Sequence, residues 1–497
     1  MTARPGEAEP ALSTRPDRTG LAMTTRPDGA GPAGCGRSGG VLDDFLSAAH
    51  VHADRPAIRA EGADLTYAEL AARVTAFAAG LGAEPGVVGV PAGHHTGTVT
   101  ALFGVWAAGG TYCPIDPGFP EQRRTAMART AGCRVLIGAD GRPAPGPGGP
   151  DPEAAYVLFT SGSTGVPKPV VTSHRAIATT VGSLRELFGI TPHDRVLQFA
   201  SLNWDTCFEE ILPALTGGAC LVFDADAHRG SFPRFLRMLA RERITVLDLP
   251  TAFWHELVGH LHESGEALPA CVRLVIIGGE AAAPGKVARW SALPAGPVQL
   301  LNTYGCTETT LITHALELTG APDPVPIGRA LPHVAEHLGE GGELLIGGPA
   351  LADGYLGRPA ATAERFVTVG GRRFFRTGDR VSRAADGVLT HRGRIDHEVK
   401  IRGIRVDPAE VEAHLTGHPA VRAALVTGVT VAGRTALAAY VVPRAGTSGT
   451  GLPDRIAAHL RGRVPAHLVP SHIHVVAELA YTASGKVDRR ASKEMLS

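Results

Sequence analysis

Tyr156-Val-Leu-Phe-Thr-Ser-Gly-Ser-Thr-Gly-Val-Pro-Lys168 is the stretch of this sequence that decides the fold. Its apolar beginning, residues 156–159, predicts a buried strand, and the hydroxyl- and glycine-rich part that follows predicts a loop. Glycines let a backbone approach an anion closely, hydroxyl and N–H groups donate hydrogen bonds, and Lys168 adds a positive charge. A strand that runs into such a loop is typical of a site for a polyphosphate.

This loop differs from the Walker A motif, in which four residues separate two glycines and Lys-Ser/Thr follows the second glycine directly. Here only Ser163 and Thr164 lie between Gly162 and Gly165, and the Pro-Lys pair comes later. A flexible Ser/Gly linker is the alternative for residues 162–165 alone. The preceding strand and the following Pro-Lys pair favour an ordered loop.

The amino-acid composition limits the classes of protein to which this chain can belong. The chain has 497 residues, 44% hydrophobic and 19% charged, which is enough for several packed cores. The 48 basic residues balance the 48 acidic ones, so no overall field favours a nucleic acid or a membrane surface. The seven cysteines form no CxxC pair, which favours a reducing cytoplasm over a zinc site or a disulfide framework. No apolar stretch is long enough to span a bilayer, and the first residues lack the apolar segment of a secretory signal.

The organisation of the chain changes twice. Residues 1–40 are rich in Pro, Gly, Arg and Thr, so we predict a disordered tail there, with Met23 as an alternative start. The next block, residues 41–395, is expected to form a large domain. Residues 396–497, which open with the charged, strand-like run 399–406, are expected to form a smaller α+β domain.

Within the large domain, short apolar segments alternate with helical patterns. Residues 87–90 and 221–223 predict buried strands, whereas 70–81 and 235–241 predict amphipathic helices. This alternation predicts a doubly wound α/β architecture. The Gly- and Pro-rich residues 139–152 are expected to form a surface loop just before the phosphate strand.

Further motifs lie on both sides of the loop in a fixed order, at residues 65–70 and 108–116 before it and at 278–280, 302–308, 377–379, 393–396 and 484–489 after it. With the loop, this set resembles the adenylate-forming superfamily, and most of all the amino-acid adenylation domains of nonribosomal peptide synthetases. The resemblance covers roughly residues 41–489. It implies a ligase that uses ATP and Mg²⁺. The earliest two motifs are packing elements and receive no catalytic role.

The resemblance assigns roles to individual residues. Tyr304 is expected to stack on adenine, Thr307 to contact the α-phosphate, Glu308 to bind Mg²⁺ and Asp379 to hold the ribose hydroxyls. These roles suit the side chains, because an aromatic face fits a purine and a hard carboxylate fits Mg²⁺. The full set expected to bind ATP is Thr160, Ser161, Gly162, Ser163, Thr164, Gly165, Lys168, Gly278, Gly279, Glu280, Asn302, Thr303, Tyr304, Gly305, Asp379 and Arg394.

The implied reaction has two steps. A substrate carboxylate, already ionised at pH 7, attacks the α-phosphate of ATP, so that no general base is needed. The resemblance makes Lys486 a catalytic residue of this step, together with Thr307 and Glu308. The small domain then swings about Asp396, and the phosphopantetheine thiol of a carrier protein, supplied in trans, attacks the adenylate.

The residues of the substrate pocket predict the kind of acid that is activated. Asp205 stands where the family holds the amino group of an amino acid, a position that acyl-CoA synthetases normally do not fill with Asp. The remaining pocket positions are Thr206, Glu209, Asp248, Ile276, Gly278, Thr303, Leu311, Ile312 and Lys486. Two of them, Glu209 and Asp248, are acids, and buried carboxylates require a partner. The sequence therefore predicts a cationic substrate such as lysine or β-lysine, followed by ornithine, diaminobutyrate and arginine.

Several alternatives remain at this point. Glu209 could face away from the pocket while the adjacent Glu210 faces it, and Asp248 could cap a turn instead of lining the pocket. At the level of function, the alternatives are an acyl- or aryl-CoA ligase of the same fold and a catalytically inactive scaffold.

Overall fold

The computed structural model of the chain describes residues 40–161, 167–293, 298–396, 398–401, 403–431, 434–445, 447, 451–481 and 487–496. The tail predicted to be disordered, residues 1–40, therefore lies outside the described residues except for Gly40. The same holds for the loop residues 162–165 and for Lys486. Across the described part of the chain, no helix combines the length and the hydropathy needed to cross a membrane.

The α-helices of the described residues begin directly after the tail and continue to the end of the chain. They are α1 Val41–Val51, α2 Tyr67–Leu81, α3 Thr96–Ala107, α4 Glu121–Thr130, α5 His174–Phe188, α6 Thr206–Thr216, α7 Phe232–Arg241, α8 Thr251–Ser264, α9 Pro284–Ser291, α10 Pro359–Arg365, α11 Pro408–Thr416, α12 Leu452–Arg461 and α13 Arg489–Leu496.

The strands that these helices connect are mostly short. They are β1 Pro56–Ala60, β2 Ala63–Thr66, β3 Val87–Pro91, β4 Thr111–Ile115, β5 Val135–Ile137, β6 Pro143–Pro145, β7 Tyr156–Thr160, β8 Lys168–Thr172, β9 Arg195–Leu197, β10 Cys220–Phe223, β11 Val246–Pro250, β12 Leu274–Gly278, β13 Gln299–Gly305, β14 Ile312–Glu317, β15 Arg329–Ala330, β16 Ala335–Leu338, β17 Glu343–Gly347, β18 Gly354–Tyr355, β19 Phe366–Val369, β20 Arg372–Arg383, β21 Leu389–Arg394, β22 Val399–Ile401, β23 Ile404–Val406, β24 Val421–Val431, β25 Arg434–Pro443 and β26 His472–Val475.

Two large sheets dominate the N-terminal part. The first has the order β15-β14-β13-β12-β11-β9-β10-β1-β2 and the second the order β18-β8-β7-β4-β3-β5-β6. Neighbouring strands are parallel from β1 to β13 in the first sheet and from β7 to β5 in the second, with antiparallel strands at the edges. Parallel strands need crossover connections, which the intervening helices provide. The predicted α/β fold is confirmed.

One hydrophobic core joins the two sheets. It contains residues of both sheets and of α1, α2, α3, α5 and α6, among them the fully buried Phe45, Tyr67, Phe103 and Tyr156. The hydroxyl group of Tyr67 donates a 2.7 Å hydrogen bond to the carbonyl oxygen of Ala219, so this buried polar group is satisfied. Because Tyr156 belongs to this core, the strand β7 that leads into the loop is anchored in it.

The structure confirms the predicted strands and helices, with two differences elsewhere in the chain. The strands predicted at 87–90, 156–159 and 221–223 are β3, β7 and β10, and the two predicted helices are α2 and α7. Residues 139–152 are mostly exposed, but they include the short edge strand β6. The run 399–406 is not one strand but the antiparallel hairpin β22–β23, because the chain turns at Gly403, whose φ of 80° favours glycine.

The small C-terminal domain has its own core. The sheet β24-β25-β26 packs against α11 and α12 through Val411, Leu415, Ile456 and Leu460, all fully buried. The position of the domain boundary near Asp396 stays a prediction.

Candidate active site

A cavity of about 240 Å³ lies where three adjacent parallel strands, β11, β12 and β13, end. The carboxyl ends of such strands are the usual place for a ligand in an open α/β sheet. The cavity brings together predicted site residues from seven separate segments of the chain. These are Thr160, Asp205, Thr206, Glu209, Asp248, Gly278, Gly279, Thr303, Gly305, Thr307, Glu308, Leu311, Ile312, Asp379 and Arg394.

Other predicted site residues lie behind or beside this lining. They are Ser161, Lys168, Ile276, Glu280, Asn302, Tyr304 and Asp396. Ile276 is fully buried and pairs with Asp248 across β11 and β12, and the ammonium group of Lys168 lies 5.7 Å from the ring centroid of Tyr355. The amide of Asn302 donates to the carbonyl oxygen of Pro326 at 2.7 Å. Their roles in binding stay predictions.

Glycine is required where the backbones around the cavity approach one another. A Cβ atom on Gly278 would lie 2.5 Å from Oγ1 of Thr303, and one on Gly305 would lie 1.9 Å from the carbonyl oxygen of Leu311. The backbone that packs against Gly305 has an uncommon conformation: Thr310 and Leu311 both have positive φ angles, 58° and 66°. Strain of this kind is frequent at functional sites, where the surrounding packing enforces it.

Glu308 is buried and has one oxygen free for a ligand. Its Oε1 accepts a 2.8 Å hydrogen bond from the hydroxyl group of Tyr355, whereas Oε2 has no hydrogen-bond partner among the described residues. Burial by itself raises the pKa of Glu308, but the positive charges of Arg405 and Arg365 outweigh it and hold the pKa below its usual range. Oγ1 of Thr160, another cavity residue, is also buried without a partner. A carboxylate oxygen and a hydroxyl group of this kind fit a hydrated Mg²⁺ ion and the phosphates it accompanies.

The carboxylate of Asp379 forms hydrogen bonds with three neighbouring side chains. Its Oδ2 lies 2.6 Å from the hydroxyl oxygen of Tyr304, and its Oδ1 lies 2.7 Å from Nη1 of Arg394 and 3.1 Å from Nε2 of His391. Burial raises the pKa of this carboxyl group, but the hydrogen bond with His391 and the charge of Arg394 lower it far more. Asp379 is therefore ionised at neutral pH and can accept hydrogen bonds from two ribose hydroxyl groups.

The arrangement around α6 decides between Glu209 and Glu210. The buried Glu210 accepts hydrogen bonds from the backbone N–H groups of Phe199 and Ala200 at 3.0 and 2.9 Å, and from the amide of Gln198 at 2.8 Å. Glu209, in contrast, lines the cavity. The alternative in which Glu209 faces away is thereby excluded.

Asp248 lies inside β11 and lines the same cavity. Only 4% of its surface is exposed, and Oδ2 has no partner among the described residues. It lies within the strand and lines the cavity together with Glu209, which does not support the alternative in which it caps a turn. Burial raises the pKa of Asp248 to about 7, and burial together with the charge of Asp248 raises that of Glu209 well above its usual value. A third cavity acid, Asp205, has its pKa raised to about 6 by burial.

Lys400, Gly403 and Arg405 belong to the charged run 399–406. All three line the cavity. The backbone N–H of Gly403 donates a 2.6 Å hydrogen bond to Oε1 of Glu280, and the ammonium group of Lys400 lies 5.7 Å from the ring centroid of Tyr304. The sequence showed that the run 399–406 is charged, but only the tertiary structure places that run against the large domain.

Two further residues, which the motifs did not reveal, form hydrogen bonds with carboxylates of the site. Tyr355 fixes Glu308, and His391 fixes Asp379. The predicted hinge residue, Asp396, is paired with Arg394, whose Nη2 lies 2.6 Å from Oδ2 of Asp396. The same arginine thus contacts both the predicted ribose residue and the predicted hinge.

Comparison with known families agrees with this geometry. Residues 45–149 and 140–356 match the family described as AMP-binding enzyme, and residues 410–486 match the AMP-binding enzyme C-terminal domain. The chain therefore belongs to the AMP-binding enzymes, the adenylate-forming ligases. Enzymes of this family use ATP.

Similar proteins include peptide synthetases and an amide bond synthetase. The isonitrile lipopeptide synthase of Streptomyces coeruleorubidus is 41% identical over 88% of this chain, which corresponds to 32% of that protein. An artificially fused adenylation–PCP didomain of a nonribosomal peptide synthetase from Klebsiella oxytoca, NpsA-ThdA, superposes with a TM-score of 0.76 at 26% identity, covering 87% of this chain and 93% of that one. The amide bond synthetase McbA of Marinactinospora thermotolerans superposes with a TM-score of 0.79 at 25% identity, covering 92% and 99%. The chain spans less than half the length of the curated relatives it matches.

Proposed function

We propose that this enzyme activates an amino acid with a cationic side chain, lysine or β-lysine, as the aminoacyl-AMP. The observation that carries the proposal is that three carboxyl groups, those of Asp205, Glu209 and Asp248, line one cavity together with Glu308. Within the described residues, no basic side chain forms an ion pair with any of those three carboxyl groups. A substrate with two ammonium groups supplies the missing positive charges.

In the proposed first step, a carboxylate oxygen of the amino acid forms a bond to the α-phosphorus atom of ATP, and the bond to the leaving pyrophosphate breaks. Since the nucleophile is already ionised, the protein aligns two anions and neutralises the charge that develops between them. Asp205 orients the α-ammonium group, Asp379 holds the ribose, and Thr307 and Lys486 donate to the reacting phosphate. Mg²⁺, held by Glu308 when bound, supplies further charge neutralisation.

In the proposed second step, the phosphopantetheine thiol of a carrier protein in trans attacks the carbonyl carbon and AMP leaves. A similar nonribosomal peptide synthetase protein that contains both an adenylation and a PCP domain supports a carrier protein as the partner. The residues of the β22–β23 hairpin that line the cavity, Lys400, Gly403 and Arg405, support a role of the small domain near the reacting atoms.

ATP–pyrophosphate exchange tests the proposal. The purified chain is assayed with L-lysine, β-lysine, ornithine, diaminobutyrate, arginine and neutral amino acids. Exchange confined to the cationic members supports the acidic pocket. Exchange with neutral amino acids rejects the pocket argument but keeps the reaction, exchange with simple carboxylic acids alone favours a CoA ligase, and exchange with none favours the inactive scaffold.

A further inference from the structure

The predicted nucleotide site is divided between two sheets. Tyr304 lies near the end of β13 in the nine-stranded sheet, whereas Asp379 lies on β20 of a five-stranded sheet with the path β16-β17-β20-β19. The two residues meet in the 2.6 Å hydrogen bond between the tyrosine hydroxyl group and Oδ2 of Asp379. Tyr304 also packs with Leu344 and Val381 of the second sheet in one buried cluster. The relative placement of the two sheets therefore sets the distance between the tyrosine ring and the predicted ribose carboxylate.

A second polar connection joins the same two sheets. Nε2 of His314, on β14, lies 2.8 Å from Oε2 of Glu336, on β16. His314 is fully buried and is the cross-strand partner of Tyr304, and the two rings form a T-shaped contact with centroids 5.7 Å apart. Nδ1 of His314 lies 3.0 Å from Oγ1 of Thr313, which donates a 3.1 Å hydrogen bond to the carbonyl oxygen of Tyr304. His314 thus contacts the tyrosine expected to stack on adenine and reaches across to the second sheet.

The far end of this connection is anchored on the strand of Asp379. Oε1 of Glu336 pairs with the guanidinium group of Arg383, which lies on β20 four residues after Asp379. Burial alone raises the pKa of Glu336, but the hydrogen bonds with His314 and Arg383 outweigh it and hold the pKa below its usual value. An ionised carboxylate only accepts hydrogen bonds, so Nε2 of His314 is the donor.

We propose that His314 and Glu336 are positioning residues for the nucleotide, because the hydrogen bond between them fixes the placement of Tyr304 relative to Asp379. This inference rests on the proposed function, in which those two residues bind adenine and ribose. One hydrogen bond between the sheets constrains a distance, whereas a second connection beside it also constrains their orientation. Neither His314 nor Glu336 lines the cavity, so their effect passes through the residues that do the binding.

The first test uses the full chain and measures the dissociation constants of ATP and AMP, together with the KM values for pyrophosphate and L-lysine in the exchange assay. Glu336→Ala breaks the connection at its less buried end, and we expect both nucleotides to bind about three- to thirtyfold more weakly. The KM values for pyrophosphate and lysine stay within about twofold of the wild type, because these ligands lack the adenosine half. Glu336→Gln keeps an acceptor for Nε2 of His314 and recovers most of the affinity.

Two further variants complete this test. Glu266→Ala is the matched control: it breaks another His–Glu contact, 2.7 Å between Nε2 of His260 and Oε2 of Glu266, and leaves all four constants unchanged. Arg383→Ala removes only the outer partner of Glu336, so it serves where Glu336→Ala does not fold, and it weakens ATP and AMP by about two- to fivefold. Wild-type ATP affinity in Glu336→Ala, or an equal weakening of all four ligands, would overturn the proposal.

The second test is a double-mutant cycle that combines Glu336→Ala with Tyr304→Phe, which removes the other connection. Because loss of either connection already frees the two sheets, the combined loss of ATP affinity is expected to be at least about threefold smaller than the product of the single losses. A combined loss equal to or larger than that product contradicts the proposal. Absence of ATP binding by the wild type would remove this inference and the proposed function together. ATP binding without lysine-dependent exchange of pyrophosphate would remove only the proposed substrate, and the ATP and AMP constants would still decide the role of Glu336.

Discussion

Glu209 and Glu210 are neighbours in the sequence, yet only one of them lines the cavity. Glu210 accepts hydrogen bonds from the backbone N–H groups of Phe199 and Ala200, whereas Glu209 lines the cavity together with Asp248. Their different surroundings follow from consecutive positions on α6, which point about 100° apart around a helix. One acid is therefore structural and the other is available to a substrate.

Substituting these two acids separates the roles. We expect Glu209→Gln to raise the KM for L-lysine by about ten- to a hundredfold, because a hydrogen bond to a charged group is worth about 1.5–3 kcal/mol. Glu210→Gln is the matched control. It is expected to lower the free energy of unfolding by about 1–3 kcal/mol without changing the order of preferred amino acids. An equal change of substrate preference in both variants would contradict the assignment.

The dependence of stability on pH follows from the raised pKa of Asp248. In the folded protein its pKa is about 7, above the ordinary value of 3.8, so the folded state binds the proton more tightly. The contribution of Asp248 to stability is therefore complete below about pH 4 and is lost as the pH rises through about 7. Urea denaturation at pH 5 and pH 8 measures this. We expect Asp248→Asn to gain stability relative to the wild type at pH 8, and an equal difference at both pH values would argue against the shifted pKa.

Tyr304→Phe keeps the aromatic ring and removes the hydrogen bond to Asp379. We expect ATP to bind about tenfold more weakly, because Asp379 loses one of the partners that orient it, while His391 and Arg394 remain. Equilibrium titration with ATP and Mg²⁺ measures the change. ATP binding equal to that of the wild type would show that the tyrosine hydroxyl group does not orient the carboxylate.

The predicted hinge is tested by two substitutions of Asp396. Proline fixes φ, so Asp396→Pro is expected to block thioester formation while leaving pyrophosphate exchange intact. Asp396→Ala also loses the ion pair with Arg394 but keeps the freedom of the backbone, and it should retain both half-reactions. If alanine abolishes the second step as completely as proline does, the ion pair and not the hinge is responsible.

Lys486, which lies outside the described residues, is predicted to act in the first step. We expect Lys486→Ala to lower the rate of pyrophosphate exchange by at least about 10²–10³-fold, the usual effect of removing one preorganised donor. Transfer from aminoacyl-AMP supplied to the variant should be much less affected. Exchange at a nearly normal rate would remove Lys486 from the catalytic residues.

The sequence by itself determined the α/β class, the buried strand at residues 156–159 and the order of the motifs. These features depend on local patterns: apolar strands, glycines at close approaches, and carboxylates or aromatic rings at fixed spacing. Asp248, Gly278, Thr303 and Glu308 line one cavity because the parallel strands β11, β12 and β13 deliver their carboxyl ends to one edge of a sheet.

Only the tertiary structure decided which of two adjacent acids lines the cavity, and that Tyr355 and His391 hold Glu308 and Asp379. It also decided that Arg405 meets Glu308, and that a run of residues read as one strand turns at Gly403. These contacts join residues far apart in the chain. Their geometry depends on how helices, sheets and the small domain pack together, and a local pattern of residue types carries no record of that packing.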